Sequence, residues 1–226
     1  QEWEHPCTLI TGNSDYSITD DLVKNAPKCV ETWFAQNADT TNPKVTGIPI
    51  GIENSEQCIV EGHGVGWEHA KEKVYLLSNI PLVEPQSNIY ANFSLSTHSS
   101  RKSVYDLCSK LEYITTDVSN NHNEINDRSY KSYVDNILRH KMVVCPRGNG
   151  IDCHRVWEVL YLGRVPIVKR ERAMRYFEEL PILFIDDWAH LRNIDYIKER
   201  YSEVKNNTTK MLDMNYWKNR INKNDH

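Results

Sequence analysis

Residues 142–188 read MVVCPRGNGIDCHRVWEVLYLGRVPIVKRERAMRYFEELPILFIDDW. Positions 142–145 form a short apolar run closed by Pro146, which predicts a buried strand. Arg147-Gly148-Asn149-Gly150 follows as a turn that tolerates positive φ. Asp152 is placed to cap the next helix, expected over about 153–162 and stopped by Gly163. A second strand is expected over 165–168, a second helix over 173–180 and a third strand over 182–185. Strand, helix, strand, helix, strand with short links is the pattern of a parallel α/β sheet.

The chemistry gathers at the first strand-to-helix link. Gly148 and Gly150 let backbone amides approach a ligand closely, and the helix that follows offers free N–H groups and a partial positive charge. Arg147, His154 and Arg155 add donors at the same end. Glu158 lies four residues after His154 and three after Arg155, so one face of the first turns carries all three. A carboxylate there can take two ribose hydroxyls while the basic groups hold phosphates. The same residues also fit a helix-capping loop with a surface Arg–Glu pair. Two arginines, a histidine and a glutamate converging on one helix end weigh towards a nucleotide site.

These residues carry a resemblance. Pro146-Arg147-Gly148-Asn149-Gly150, then His154-Arg155-Val156-Trp157-Glu158, then Gly163, Pro166 and Asp186-Asp187-Trp188 closely resemble the exostosin-like glycosyltransferases, in particular their short versions in large DNA viruses and microbes. The likeness is strong over residues 88–190 and looser over 8–55. It implies an α/β protein of two Rossmann-like lobes, GT-B in type, with a reduced N-terminal lobe and a central cleft. It further implies a C-terminal lobe that binds a nucleotide-sugar, and inversion at the anomeric carbon. The donor expected from the resemblance is a UDP-sugar, with xylose the leading sugar and galactose, glucose, glucuronic acid and N-acetylglucosamine open. The acceptor expected is a glycan or glycoprotein. No cofactor is expected, since the basic groups and helix amides can carry the diphosphate charge without a divalent metal.

Composition fits that class and excludes others. In 226 residues, 39% are hydrophobic and 26% charged, as in ordinary globular proteins. A net charge of −4 argues against a nucleic-acid partner, which calls for a basic face. Twelve Tyr and six Trp can stack on sugar rings, although packing accounts for most of them. Six cysteines show no C-x-x-C pair and no zinc spacing, which points to free thiols in a reducing compartment. Their even number leaves disulfides open. No apolar window is long enough to span a membrane, and no signal-peptide pattern stands at the start. The chain begins Gln1-Glu2-Trp3 without Met. A cytoplasmic place is expected, in the host cytoplasm if the protein is viral, or the Golgi lumen if an N-terminal anchor precedes this sequence.

Along the chain, residues 1–80 are expected to form a reduced acceptor-side lobe, 82–205 the nucleotide-sugar lobe, and 206–226 a helix returning towards the first. The first lobe holds a short strand at 8–10, a helix from Asp20 towards Pro27, a strand or short helix at 30–37, an extended piece at 45–52, a glycine-rich loop at 61–67 and a helix at 68–76. The second opens with a strand at 89–95, a polar loop at 96–100 and a helix at 101–111. A strand at 113–116, a loop at 118–128 and a helix at 130–140 follow, and helices at 191–205 and 208–221 close the chain. Arg101 opens its helix, where a second phosphate contact is useful, or is a surface arginine beside a hydroxyl-rich cap. The resemblance weighs towards donor contact for Ser96, Thr97 and Arg101. The sequon at Asn92 falls in a predicted buried strand and reads as chance.

Inverting transfer also needs a base for the acceptor hydroxyl. Asp15 ranks first because strand ends in α/β units face the cleft, although it fits nearly as well as a turn residue capping the next helix. Glu53 and His63 follow. Asp186-Asp187 resembles a metal pair but reads better as a loop and cap before a helix. His63, Glu68 and His69 are a doubtful metal set in so glycine-rich a stretch. Two rival readings are a non-catalytic carbohydrate-binding protein and a dinucleotide oxidoreductase. The latter lacks a G-x-G-x-x-G at the first strand–helix unit.

Overall fold

The computed structural model describes residues 5–52, 75, 77–117 and 127–223. It is a mixed α/β protein with two wholly parallel sheets. The smaller has the order β1 (Cys7–Thr11), β2 (Val30–Ala35), β3 (Val45–Gly47). The larger has the order β5 (Ile114–Asp117), β4 (Ser87–Asn92), β6 (His140–Val144), β7 (Val165–Lys169), β8 (Leu183–Ile185).

Strands β4, β6, β7 and β8 of the larger sheet present buried apolar residues to both faces because both are covered, whereas the edge strand β5 is mostly polar. Tyr90, Val143 and Val168 point to α3 (Asp127–Arg139), α4 (His154–Tyr161) and α6 (Met214–Asn222), where Ile137, Trp157 and Trp217, joined by Phe177 from the link between β7 and β8, complete one core. Ile89, Met142 and Ile167 point the other way, to α2 (Ser100–Cys108) and α5 (Ile194–Val204). The smaller sheet packs Val30, Trp33 and Val45 with Val23 of α1 (Asp20–Lys24).

Several local expectations change. The stretch predicted as a helix at 173–180 is a 3-10 turn, Arg172–Phe177. At three residues per turn, Met174 and Phe177 fall on one side and enter the core together. The predicted closing helices are each broken by a side-chain cap. Asn193 accepts from Tyr196 N before α5, and Asp213 accepts from Asn215 N before α6. The Arg147–Gly150 turn uses no positive φ; among the described residues that conformation occurs at Asn13, Asn37, Gly51 and Gly163. Gly163 ends α4 as expected, with φ +67 and Arg164 N bonded to Val159 O at 2.9 Å. The glycine-rich loop at 61–67 lies outside the described residues, as do 118–126 of the predicted loop and all but Tyr75 of the helix at 68–76.

The two sheets are joined by specific contacts. Tyr176 donates its hydroxyl to Val45 O at 3.1 Å and lays its ring on Gly47. Arg172 pairs with Asp20 at 2.9 Å and Asp39 at 3.3 Å. A Cβ on Gly47 would stand 2.3 Å from Tyr176 Cδ2, and the ring is pinned by its hydroxyl and by the Arg175 guanidinium 4.7 Å above it. Gly47→Ala is therefore expected to cost about 1–3 kcal/mol through overpacking. Thermal denaturation should show a Tm lower by roughly 3–10 °C, and an unchanged Tm would remove Gly47 from the joint.

Candidate functional site

In the larger sheet the chain leaves β4 through α2 towards β5, and leaves β6 through α4 towards β7 on the opposite side. The C-terminal ends of β4 and β6 therefore part, and a crevice opens where the strand order reverses. The loops on its rim are 93–99 after β4 and 145–153 after β6. Those loops contain Ser96, Thr97, Arg147, Gly148, Asn149, Gly150 and Asp152.

Arg101 is the pin between the two loops. It is only 5% exposed, not a surface residue, and its Nη1 donates to Ser94 O at 3.0 Å. Its Nε donates to Arg147 O at 2.7 Å and its Nη2 to Pro146 O at 3.1 Å. Among the described residues it pairs with no carboxylate, and burial together with the nearby Arg155 charge pushes its pKa down to about 10. Gly148 lies directly over it, since a Cβ there would come within 3.4 Å of Nη2. Arg147 reaches outwards, with Nη1 3.2 Å from Glu171 Oε2 and Nη2 donating to Asn149 O at 3.1 Å. His98 sits beside these cations, and burial followed by the Arg147 charge holds its pKa below the ordinary value. Ser96 is exposed, with its hydroxyl 3.0 Å from that of Ser94.

The other wall is α4. Its N-terminus begins at His154 after Cys153, whose side chain makes no cap. Asp152 does not cap it either. Asp152 is 3% exposed and turned into the joint between the sheets, where Oδ2 accepts from Ile50 N at 2.8 Å and Oδ1 from Trp157 Nε1 at 2.8 Å. Burial pushes its carboxyl up to about 7, against the pull of those donors and of Cys153 N. His154 Nδ1 faces Gly51 O at 2.9 Å, which makes it the protonated ring nitrogen. Arg155 stacks its guanidinium over the Tyr133 ring at 5.2 Å and donates from Nη1 to the Tyr133 hydroxyl at 3.0 Å. That hydroxyl donates in turn to Glu158 Oε2 at 2.9 Å, and Glu158 is 6% exposed. Three donors on the crevice side chains, Thr97 Oγ1, Arg147 Nε and Arg155 Nε, are buried with no partner among the described residues. Such groups suit an anion of several oxygens.

Asp15 comes to this place from the smaller sheet. It is exposed, and its Oδ1 would stand 3.2 Å from a Cβ on Gly150. It is not the cap of α1, because Thr19 fills that role by accepting from Leu22 N. Gly150 is required by contact: a Cβ would also meet Asn37 Nδ2 at 2.9 Å and Asp152 O at 3.2 Å. Asn37 stitches this corner, donating Nδ2 to Ser14 O at 2.9 Å and accepting from Asp152 N at 2.8 Å. Glu53 and His63 lie outside the described residues.

The family model described as RXYLT1 C-terminal domain matches residues 78–224. The chain belongs to this family of exostosin-like glycosyltransferases. A search of curated proteins finds no match. The matched segment of this glycosyltransferase holds the larger sheet, both loops of the crevice and α4. Asp15, Asn37 and the Ile50–Gly51 peptide lie before it.

Asp186 and Asp187 sit apart from the crevice residues in their contacts. Asp186 pairs with Arg170 at 3.3 Å, and Asp187 caps the Trp188–Arg192 turn by accepting from Ala189 N at 2.7 Å. No group of three potential metal ligands occurs among the described residues. No helix among them is long and apolar enough to cross a membrane. Sequence reasoning missed Tyr133, Asn37 and His98. Tyr133 had one available signal, its place on the apolar face of the helix that feeds β6. Asn37 and His98 had none beyond proximity to a strand end.

Proposed function

We propose that this chain transfers a sugar, xylose first, from a UDP-sugar to a hydroxyl of a glycan acceptor, with inversion at the anomeric carbon. The observation that carries the reading is the set of partnerless donors of Thr97, Arg147 and Arg155 at the topological switch point. In a GT-B arrangement, 82–205 is the donor unit, 1–80 the acceptor side and 206–226 the helix that returns. Arg147, Arg155, Thr97, Ser96 and the α4 amides take the diphosphate, and Glu158 takes ribose hydroxyls. His154 closes the phosphate end beside them. Arg101 and Asp152 act through the backbone, by fixing the loops that carry Gly148, Asn149 and Gly150.

The acceptor oxygen attacks the anomeric carbon while the bond to the diphosphate oxygen breaks and its electron pair leaves with UDP. Charge therefore grows on the diphosphate, where the guanidiniums and helix N–H groups stabilise the transition state more than the ground state. The acceptor proton passes to Asp15, with Glu53 and His63 the next choices. The cations supply the charge that a divalent ion would otherwise bring, so turnover is expected to survive EDTA.

Thermal shift with UDP, GDP, dTDP and NAD tests the donor. UDP at a hundredfold excess over its Kd should add about 2.7 kcal/mol of stability, and the other three should add less. Stabilisation by NAD alone would return the oxidoreductase reading. A UDP-sugar panel followed for donor hydrolysis and transfer, with and without EDTA, tests the reaction. Activity lost in chelator and restored by manganese would overturn metal independence. UDP binding without either reaction would mark a nucleotide-sugar-binding protein instead.

A further inference from the structure

Between α3 and α4 one phenol touches both of the groups that the donor reading uses most. Tyr133 Oη donates to Glu158 Oε2 at 2.9 Å and accepts from Arg155 Nη1 at 3.0 Å, while its ring lies beneath the Arg155 guanidinium at 5.2 Å. A phenol that accepts from one group and donates to another has its proton placed by both neighbours. The ring sets the plane of the guanidinium, and the hydroxyl sets its rotation by taking Nη1. The Arg155 Nε–H is left buried and without a partner among the described residues. The carboxylate accepts the phenol hydrogen bond at Oε2, which fixes the rotation of the carboxylate plane.

We infer that Tyr133 is a positioning residue for the nucleotide, acting through Glu158 on the ribose and through Arg155 on the diphosphate. The inference rests on the donor-site reading above. Tyr133 itself is not required to touch the donor. Its position on a different helix from its two partners has a further result. A shift of α3 against α4 moves the ribose-binding and phosphate-binding groups together, so the two ends of the nucleotide are recognised as one unit. Burial raises the Tyr133 pKa well above its ordinary value, which keeps the hydroxyl protonated across the neutral range.

The test is Tyr133→Phe, which keeps the ring and its stacking and removes only the hydroxyl. UDP affinity by calorimetry should fall about 10-fold, the effect of one hydrogen bond to a charged group. The donor KM should rise by a similar factor through Glu158, with kcat at saturating donor within about threefold of the parent, since the retained ring still holds the Arg155 guanidinium that serves the transition state. In a Glu158→Ala background the same change should cost less than in the parent, because one of its two routes is already gone. Equal losses in both backgrounds would overturn action through Glu158. UDP binding by Tyr133→Phe equal to the parent would overturn the inference while leaving the donor site standing. Failure of the unmutated protein to bind UDP or any other nucleoside diphosphate would overturn the donor reading itself, and the inference with it.

Discussion

Arg155→Ala is expected to reduce turnover of the UDP-sugar by about 10²–10³-fold, the scale seen when a preorganised donor to a developing anion is removed. Arg155 stands on the first turn of α4 and is held by the Tyr133 ring and hydroxyl, so its reorganisation is already complete before the donor arrives. Its buried Nε has no partner among the described residues to lose on binding. The diphosphate gains charge as the sugar bond breaks, so the loss should fall on kcat as well as on affinity. Arg155→Lys should recover only part, because an ammonium keeps the charge but not the planar, stacked fork. Initial rates at saturating donor and calorimetry with UDP would check both variants. Turnover of Arg155→Ala within about threefold of the parent would remove Arg155 from the chemistry.

Asp152→Ala is expected to be the most destabilising single change at the joint between the sheets. It strips acceptors from Ile50 N and Trp157 Nε1, both bonded at 2.8 Å. Each buried donor left unmade costs about 1–3 kcal/mol, so the loss is roughly 2–6 kcal/mol. That is a large fraction of the 5–15 kcal/mol that typically holds a domain together. Asp152→Asn should cost less, since one carbonyl oxygen remains. The pair also has a pH signature. The folded carboxyl titrates at about 7, whereas an unfolded aspartate titrates near 3.9. Between those values the folded protein holds a proton that the unfolded chain lacks. Stability should therefore fall as pH rises from about 4 to 7, by at most about 1.4 kcal/mol per pH unit, and level off above. Asp152→Asn should abolish that slope. Urea denaturation across the window would show it, and identical slopes in parent and Asn variant would refute the buried, protonated aspartate.

The sheet was legible where side-chain patterning is local. The β6 run, Gly163 and the apolar Val165–Val168 stretch each announce a strand or helix end by their own composition, whereas the crevice between β4 and β6 depends on a strand order that the sequence does not show. The Arg172–Phe177 turn was not legible, because six residues that meet the core at i and i+3 look the same as one turn of α-helix. Arg101 was read towards a donor contact, with a surface arginine as the alternative, because the helix it opens is polar around it; its burial depends on Ser94 O and Pro146 O, which lie far apart in sequence. Asn37 was invisible for the same reason, since its partner Asp152 N is 115 residues away. Asp152 was read as a cap because cap and latch need the same short carboxylate, and only the approach of Ile50 N distinguishes them.

The Asp152 corner also bears on how such enzymes can be recombined. The recognisable family segment starts at 78, yet its Asp152 takes one carboxylate donor from Ile50 N and gives its own N–H to Asn37, and its His154 bonds Gly51 O. In this chain the matched segment is thus completed at its Asp152 corner by residues that precede it. An exchange of front halves between relatives would succeed only if the incoming half brought an amide acceptor in the left-handed conformation of Asn37, a free peptide N–H in place of Ile50, and a residue as small as Gly47 beneath Tyr176. Wholesale replacement is accordingly obstructed here, and the Asp15 loop is tied to the same corner through the bond from Asn37 Nδ2 to Ser14 O, so only side-chain changes that keep that backbone position leave the corner intact.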